Sequence, residues 1–207
     1  MNEHSFIFAF EMRVKDENKE QVIRQKALEM LVKVGFQGFS MQKLAKEAGV
    51  SPATIYIYFK DKEDLIMALC EEAKERMTAT TLADFDPGMP FGEGLKIQWQ
   101  NRLKYCLEYP EQMLFWEQMR NSPEQEKLMG VVDEKFKNTL SEFTRNAIAN
   151  KELVEVPMEV YWSVAFAPLY VLIKFHTSGK NISGGKFTLN DSMMNEALAL
   201  VIKALTP

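Results

Sequence analysis

Four side chains with hydroxyl or ammonium groups, Tyr56, Tyr58, Lys60 and Lys62, follow closely on a Ser51-Pro52 pair. Phenol O–H and ammonium groups donate to phosphate oxygens. A helix that ends in them can seat on a nucleic-acid backbone while its outer residues face base edges. The rest of the chain argues against an enzyme and against a bound cofactor: it has no nucleophile–base pair, no phosphate loop and no metal-ligand spacing. With His4 and His176 as the sole histidines, a His-rich metal centre is out of reach.

Two short helices must position these donors. Ser40 is a good N-cap, and Leu44, Ala45 and Ala48 then share one face at helical spacing. Gly49 stops that helix where a left-handed residue is wanted, and Val50 can plug the corner. Ser51 caps the next helix, with Pro52 at its first position, where a missing N–H costs nothing. Ile55 and Phe59, four residues apart, should dock inward. That leaves Pro52, Ala53, Thr54, Tyr56, Ile57 and Tyr58 on the outside of a helix that fits the major groove of B-DNA. The pattern is a helix-turn-helix.

Gly49-Val50-Ser51, followed by Thr54-Ile55-Tyr56-Ile57-Tyr58-Phe59-Lys60-Asp61-Lys62-Glu63-Asp64-Leu65, resembles the DNA-binding signature of the tetracycline-repressor (TetR-type) family of bacterial regulators. The resemblance runs from Asn18 to about Leu69. It implies an all-α homodimer in which each subunit has an N-terminal three-helix DNA-binding domain and a C-terminal helical domain that binds a small molecule and dimerises. It implies contacts to double-stranded operator DNA from Ser40, Gln42, Lys43, Ser51, Pro52, Ala53, Thr54, Tyr56, Tyr58 and Lys62. Among these, Ser40, Tyr56, Tyr58 and Lys62 would hold phosphates, Gln42, Pro52, Ala53 and Thr54 would face bases, and Ile57 could touch a thymine methyl. Tyr58 stands where the family often has histidine, so the donor there is never cationic at neutral pH. Direct readout looks thin, and indirect readout is expected to carry much of the specificity.

The formal net charge of −4 suits a DNA binder only once it is divided. Residues 13–60 hold nine Lys/Arg against five acids, whereas residues 61–207 hold sixteen against twenty-two. The basic excess therefore sits where phosphates would be met. Cys70 and Cys106 lie in apolar helical contexts without CxxC spacing, which reads as two buried free thiols, with a redox-sensing disulfide as the alternative. The longest apolar run, Val160 to Ile173, contains Ser163 and Pro168 and is too short to span a bilayer. No Lys or Arg precedes Phe6–Phe10, so a secretory signal is not expected and the protein is placed in the cytoplasm. Residues 1–11 match nothing in the family pattern; either translation starts at Met12 or they form a flexible arm.

Caps and periodicity give about nine helices and no strands. Residues 1–17 read as an extension or arm, 18–62 as the helix-turn-helix domain, 63–82 as a connecting helix, and 83–207 as a ligand-binding and dimerisation domain. The first helix is expected to start at Asn18 and end at Gly35. The Pro- and Gly-rich stretch Asp84–Gly94 is the clearest linker. Later helices are expected over about 91–108, 110–121, 122–150, 157–177 and 191–205, with a mobile loop from Thr177 to Asn190. The last two are apolar around most of their circumference, which points to pairing across a two-fold axis as a four-helix bundle. Trp99, Leu103, Trp116, Phe136, Trp162 and Phe166 are candidates for lining a mostly apolar ligand pocket. Glu117 and Glu159 are expected on the surface, because buried acids are uncommon, with a buried carboxylate facing a cationic ligand as the alternative. Control by a protein partner or by redox state is the alternative to a small-molecule effector.

Overall fold

The computed structural model describes residues 16–120 and 133–207, and both stretches are helical with short connections. The helices are α1 (Glu17–Gly38), α2 (Met41–Glu47), α3 (Pro52–Tyr58), α4 (Lys62–Thr81), α5 (Phe91–Glu108), α6 (Pro110–Arg120), α7 (Glu134–Ala149), α8 (Met158–Ser178) and α9 (Asp191–Leu205). Among the described residues the one β feature is an isolated antiparallel bridge between Lys180 and Lys186. The expected helix over 122–150 is described only from Glu134, and its Ser122 start lies outside the described residues.

Helix ends follow side-chain chemistry. Asp16, rather than Asn18, caps α1, its Oδ1 accepting from the Asn18 and Lys19 amides at 3.1 and 3.3 Å. A carboxylate two residues earlier is the better cap because it also meets the positive end of the helix dipole. Gly35 breaks α1 at φ 68°, and one further turn runs to Gly38. Ser40 and Ser51 cap α2 and α3 by accepting from the amides of Lys43 and Thr54. Asp61 accepts from the Asp64 amide at 2.9 Å while Asp64 reaches back to accept from the Lys60 amide at 2.8 Å, two side-chain caps that open α4.

Contacts divide the chain into two units. Among the described residues the first comprises 16–73 and 111–120, and the second 74–110 and 133–207. The boundary thus falls inside α4, and α6 belongs to the first unit. The first unit's core gathers Ile23, Ala27 and Leu31 of α1, Leu44 of α2, Ile55 of α3, Phe59, Leu65 and Leu69 of α4's approach and first turns, and Phe115 of α6.

In the second unit α8 packs on α5 and α9, and α7 packs on α5. The Pro/Gly stretch before α5 lies within this unit. The Asn146 side chain donates to the Pro87 carbonyl at 3.1 Å, Phe85 meets the edge of Phe143 at 5.0 Å, and Glu152 accepts from the first amide of α5 at 2.6 Å. A Cβ on Gly94 would overlap the Phe143 ring, so glycine there permits the close approach of α5 and α7. The 177–190 segment is a tethered turn: Asn181 Oδ1 accepts from the Ser183 and Gly185 amides, and His176 Nδ1 accepts from the Leu189 amide at 3.2 Å.

Gly49 has φ 67°, and nothing lies within 4 Å of where a Cβ would be. Any penalty on substitution is therefore conformational. Gly49→Ala should cost about 1–2 kcal/mol, and Gly49→Asn less, as read by urea unfolding.

Candidate nucleic-acid interface

α3 has two sharply different faces. Ile55 is fully buried and Phe59, just past the helix, is 2% exposed. Pro52, Ala53, Tyr56 and Ile57 are on the surface, with Tyr56 54% and Ile57 64% exposed. An isoleucine this open on a seven-residue helix serves no packing purpose within the subunit. It is available for apolar contact with a partner such as a thymine methyl.

The expected contact residues do not all stand free. Gln42 and Lys43 are on the surface of α2, with Lys43 Nζ donating back to the Gly38 carbonyl at 3.1 Å. Ser51 Oγ and Thr54 Oγ1 are 2.9 Å apart, so the Thr54 hydroxyl is engaged in the cap of its own helix. Tyr58 is half-buried; its Oη donates to the Asp16 carbonyl at 3.3 Å and accepts from the Asp16 amide at 3.2 Å. Lys62 Nζ donates to the Phe36 carbonyl at 2.5 Å and lies 5.6 Å from the centre of the Phe39 ring. It satisfies a carbonyl at the interrupted end of α1 and ties that end to the start of α4. Two of the four opening donors thus fasten the domain internally. Tyr56 and Lys60 remain outward and exposed.

A second fastening was not foreseen from the residues alone. Arg24 pairs with Glu20 at 2.7 Å and approaches Glu72 at 3.9 Å, and its guanidinium lies 5.1 Å from the centre of the Phe59 ring. This binds α1 to α4 over the residue that ends the α3 segment. The i, i+4 pairing with Glu20 is legible, but the partners Glu72 and Phe59 are distant in sequence.

The pocket candidates separate. Trp99 and Phe166 are fully buried in the second unit, Phe136 is 7% exposed, and Trp162 and Leu103 are half-buried there. The Trp99 indole donates to the Ala165 carbonyl at 2.7 Å. Trp116 packs beside Phe115 against the first unit's core. Glu117 and Glu159 are on the surface, so neither is a buried carboxylate. The buried charge of the second unit is a cation, Arg102, 2% exposed. Its position on the inward stripe of α5 with Leu95, Gln98, Trp99 and Tyr105 was the available signal. Cys70 and Cys106 are buried free thiols. Burial pushes Cys70 up to about 12 and Cys106 up to about 11, which leaves little thiolate at neutral pH.

The architecture is that of an all-helical protein with a helix-turn-helix head. Residues 23–69 match the family described as bacterial regulatory proteins, tetR family. An uncharacterised HTH-type transcriptional regulator of Haemophilus influenzae is 37% identical over 81 residues, a stretch that spans 39% of this chain and 43% of that relative. Two solved structures share the fold over nearly the whole chain. A putative TetR-family regulator from Vibrio parahaemolyticus has a TM-score of 0.73 at 24% identity, covering 91% of this chain and 99% of its own. A TetR-family regulator from Haemophilus influenzae has a TM-score of 0.72 at 23% identity, covering 94% and 100%. Residues 23–69 thus carry the DNA-binding domain of the tetR family, and the matched relative is named as a transcriptional regulator.

Because its hydroxyl is engaged with the Asp16 backbone, Tyr58→Phe should lose about 1 kcal/mol of stability in chemical denaturation. The salt dependence of DNA binding should stay unchanged.

Proposed function

We propose that this chain acts as a cytoplasmic homodimeric repressor that holds a palindromic operator through the α2–α3 heads of two subunits and lets go when a small ligand enters the second unit. The observation that carries the DNA-binding part is the division of α3. Ile55 and Phe59 are locked in the core while Ala53, Tyr56 and Ile57 are presented outward, with Gln42 of α2 also on the surface. Tyr56 and Lys60 serve as backbone grips, Gln42, Pro52, Ala53 and Ile57 lie nearest base edges, and Ser40 and Ser51 place the two helices. With Thr54 Oγ1 engaged in its cap, Gln42 is the main polar reader, so the operator is chosen largely through its shape and deformability.

Dimerisation is supported by a second apolar face on α8 and α9. α8 buries Tyr161, Ala165, Phe166, Leu169 and Ile173 yet leaves Val160 46% and Val171 50% exposed. α9 buries Met194, Leu198, Val201 and Leu205 and leaves Met193 41% and Leu200 65% exposed. By length and composition α8 could also cross a membrane. Its packing on α5 and α9 and its polar Ser163, Lys174 and His176 suit a dimer seam better. A two-fold pair would present two heads to half-sites about 34–36 Å apart. The poor thiolate supply at Cys70 and Cys106 speaks against redox control.

Selection of operator fragments from genomic DNA, followed by footprinting, tests the reading; failure to enrich a two-fold symmetric site would overturn it. On the selected operator, Tyr56→Ala should lower affinity across related sequences and reduce the slope of log K against log salt by up to about one. Gln42→Ala should instead change the preference at one position per half-site by about 1–3 kcal/mol. By sedimentation, the wild type should be a dimer and the Val171→Glu/Leu200→Glu double variant a folded monomer with much weaker operator binding.

A further inference from the structure

Arg102 is the charge that packing in the second unit does not explain. Its guanidinium carbon lies 4.1 Å from the centre of the Phe166 ring, 5.0 Å from that of Trp162 and 5.6 Å from that of Phe136. Nη1 donates to Tyr170 Oη at 3.0 Å and Nη2 to Gln98 Oε1 at 3.3 Å. Nε is buried and without a partner. Among the described residues no Asp or Glu forms an ion pair with it. Nearby on α8, the Tyr161 hydroxyl is also buried without a partner, and the Tyr161 ring packs edge-on against Phe166 at 6.1 Å. Burial pushes the Tyr161 phenol well above its usual range, so it stays a proton donor, while the charge on Arg102 acts on it in the opposite sense.

An arginine cannot shed its proton to escape burial. Ring faces and two neutral acceptors compensate a desolvated cation only in part, and the unused Nε–H adds an unsatisfied donor. What is missing is an anion. We infer that Arg102 receives the carboxylate of an amphipathic monoanionic ligand, with Tyr161 as a second donor and Phe136, Trp162 and Phe166 against the ligand's apolar part. The Nε–H with its adjacent Nη–H is the edge of the guanidinium that takes a carboxylate side-on through two parallel hydrogen bonds. One cation and one neutral hydroxyl balance a single negative charge, which favours a carboxylate over a phosphate dianion. The inference rests on ligand control as proposed above and names the ligand's class.

The test uses the full-length dimer and chain-matched probes: decanoate, decanamide, decylamine and decyl phosphate, with 3-phenylpropionate and its amide as an aromatic pair. Binding is read by calorimetry and by tryptophan fluorescence, since Trp162 adjoins the guanidinium. At least one carboxylate should bind about ten-fold or more tightly than its own amide, decylamine should not bind, and decyl phosphate should bind no better than decanoate. Arg102→Met should erase the carboxylate-over-amide preference without lowering the unfolding temperature of the ligand-free protein. Tyr161→Phe should weaken carboxylate binding several-fold, about the loss of one hydrogen bond to a charged group. Equal binding of acid and amide by the wild type, no binding of any carboxylate, tighter binding of the phosphate, or an intact preference in either folded variant would overturn the inference. Operator release is measured separately. If amides release DNA as well as acids do, ligand control stands and the carboxylate assignment falls. If no operator is ever bound, the regulatory reading falls while the ligand series is still decided on its own.

Discussion

A seven-residue helix does not persist alone in water, because the cost of nucleating it exceeds what so few hydrogen bonds return. α3 therefore exists only while Ile55 and Phe59 remain inserted among α1, α2, α4 and α6. Everything that the head presents outward depends on that insertion. The caps at Ser40 and Ser51, the left-handed Gly49 and the bonds from the Asp64 amide to Asp61 and from the Lys60 amide to Asp64 set the directions of the short helices. Burial supplies the energy that keeps them there. The outer residues can consequently be chosen for contact alone, which is why an isoleucine that is 64% exposed can be kept.

The same constraint reassigns the head's cations. A basic excess invites the view that each lysine faces phosphate, yet three basic side chains are turned to internal use. Lys62 closes the frayed end of α1, Lys43 reaches the Gly38 carbonyl, and Arg24 bridges Glu20, Glu72 and the Phe59 ring. Tyr58 does likewise with the Asp16 backbone. A helix-turn-helix must hold its reading helix rigidly before backbone contacts can position anything, and side chains near the interface are the nearest available ties. Under the proposed operator binding, fewer free grips, with Thr54 engaged in a cap, would leave shape and deformability of the DNA as the larger source of selectivity.

Local rules were legible and distant pairings were not. Ser40, Gly49, Ser51 and Pro52 each act within four residues of chain, so their spacing alone located the two short helices and the turn. The inward pair Ile55 and Phe59 followed from helical periodicity. By contrast, Trp116 has the composition of a pocket wall, but α6 packs with the head, and nothing local distinguishes the two outcomes. The Pro/Gly stretch before α5 reads as a linker because turn residues mark irregular backbone, which does not make it free of long-range ties. Asn146, Glu152 and Phe143, some sixty residues away, hold it in the second unit. Arg102 carries the opposite kind of signal, a charge on the apolar stripe that α5 buries with Leu95, Gln98, Trp99 and Tyr105.

α4 is the element the two units share, its residues through Ala73 lying in the first and those from Lys74 in the second. Its last turn carries the Thr81 carbonyl, which accepts from Gln98 Nε2 at 2.8 Å, while Gln98 Oε1 accepts from Arg102. Gln98 is fully buried, so neither of its bonds can be exchanged for water without cost. An anion that draws the guanidinium towards itself competes directly with the Gln98 acceptor and so acts on the group that anchors the end of α4. A neutral apolar ligand fills space beside the rings but makes no such demand on Gln98. Under the proposed ligand control, this hydrogen-bond chain would register the charge of the ligand more than its bulk.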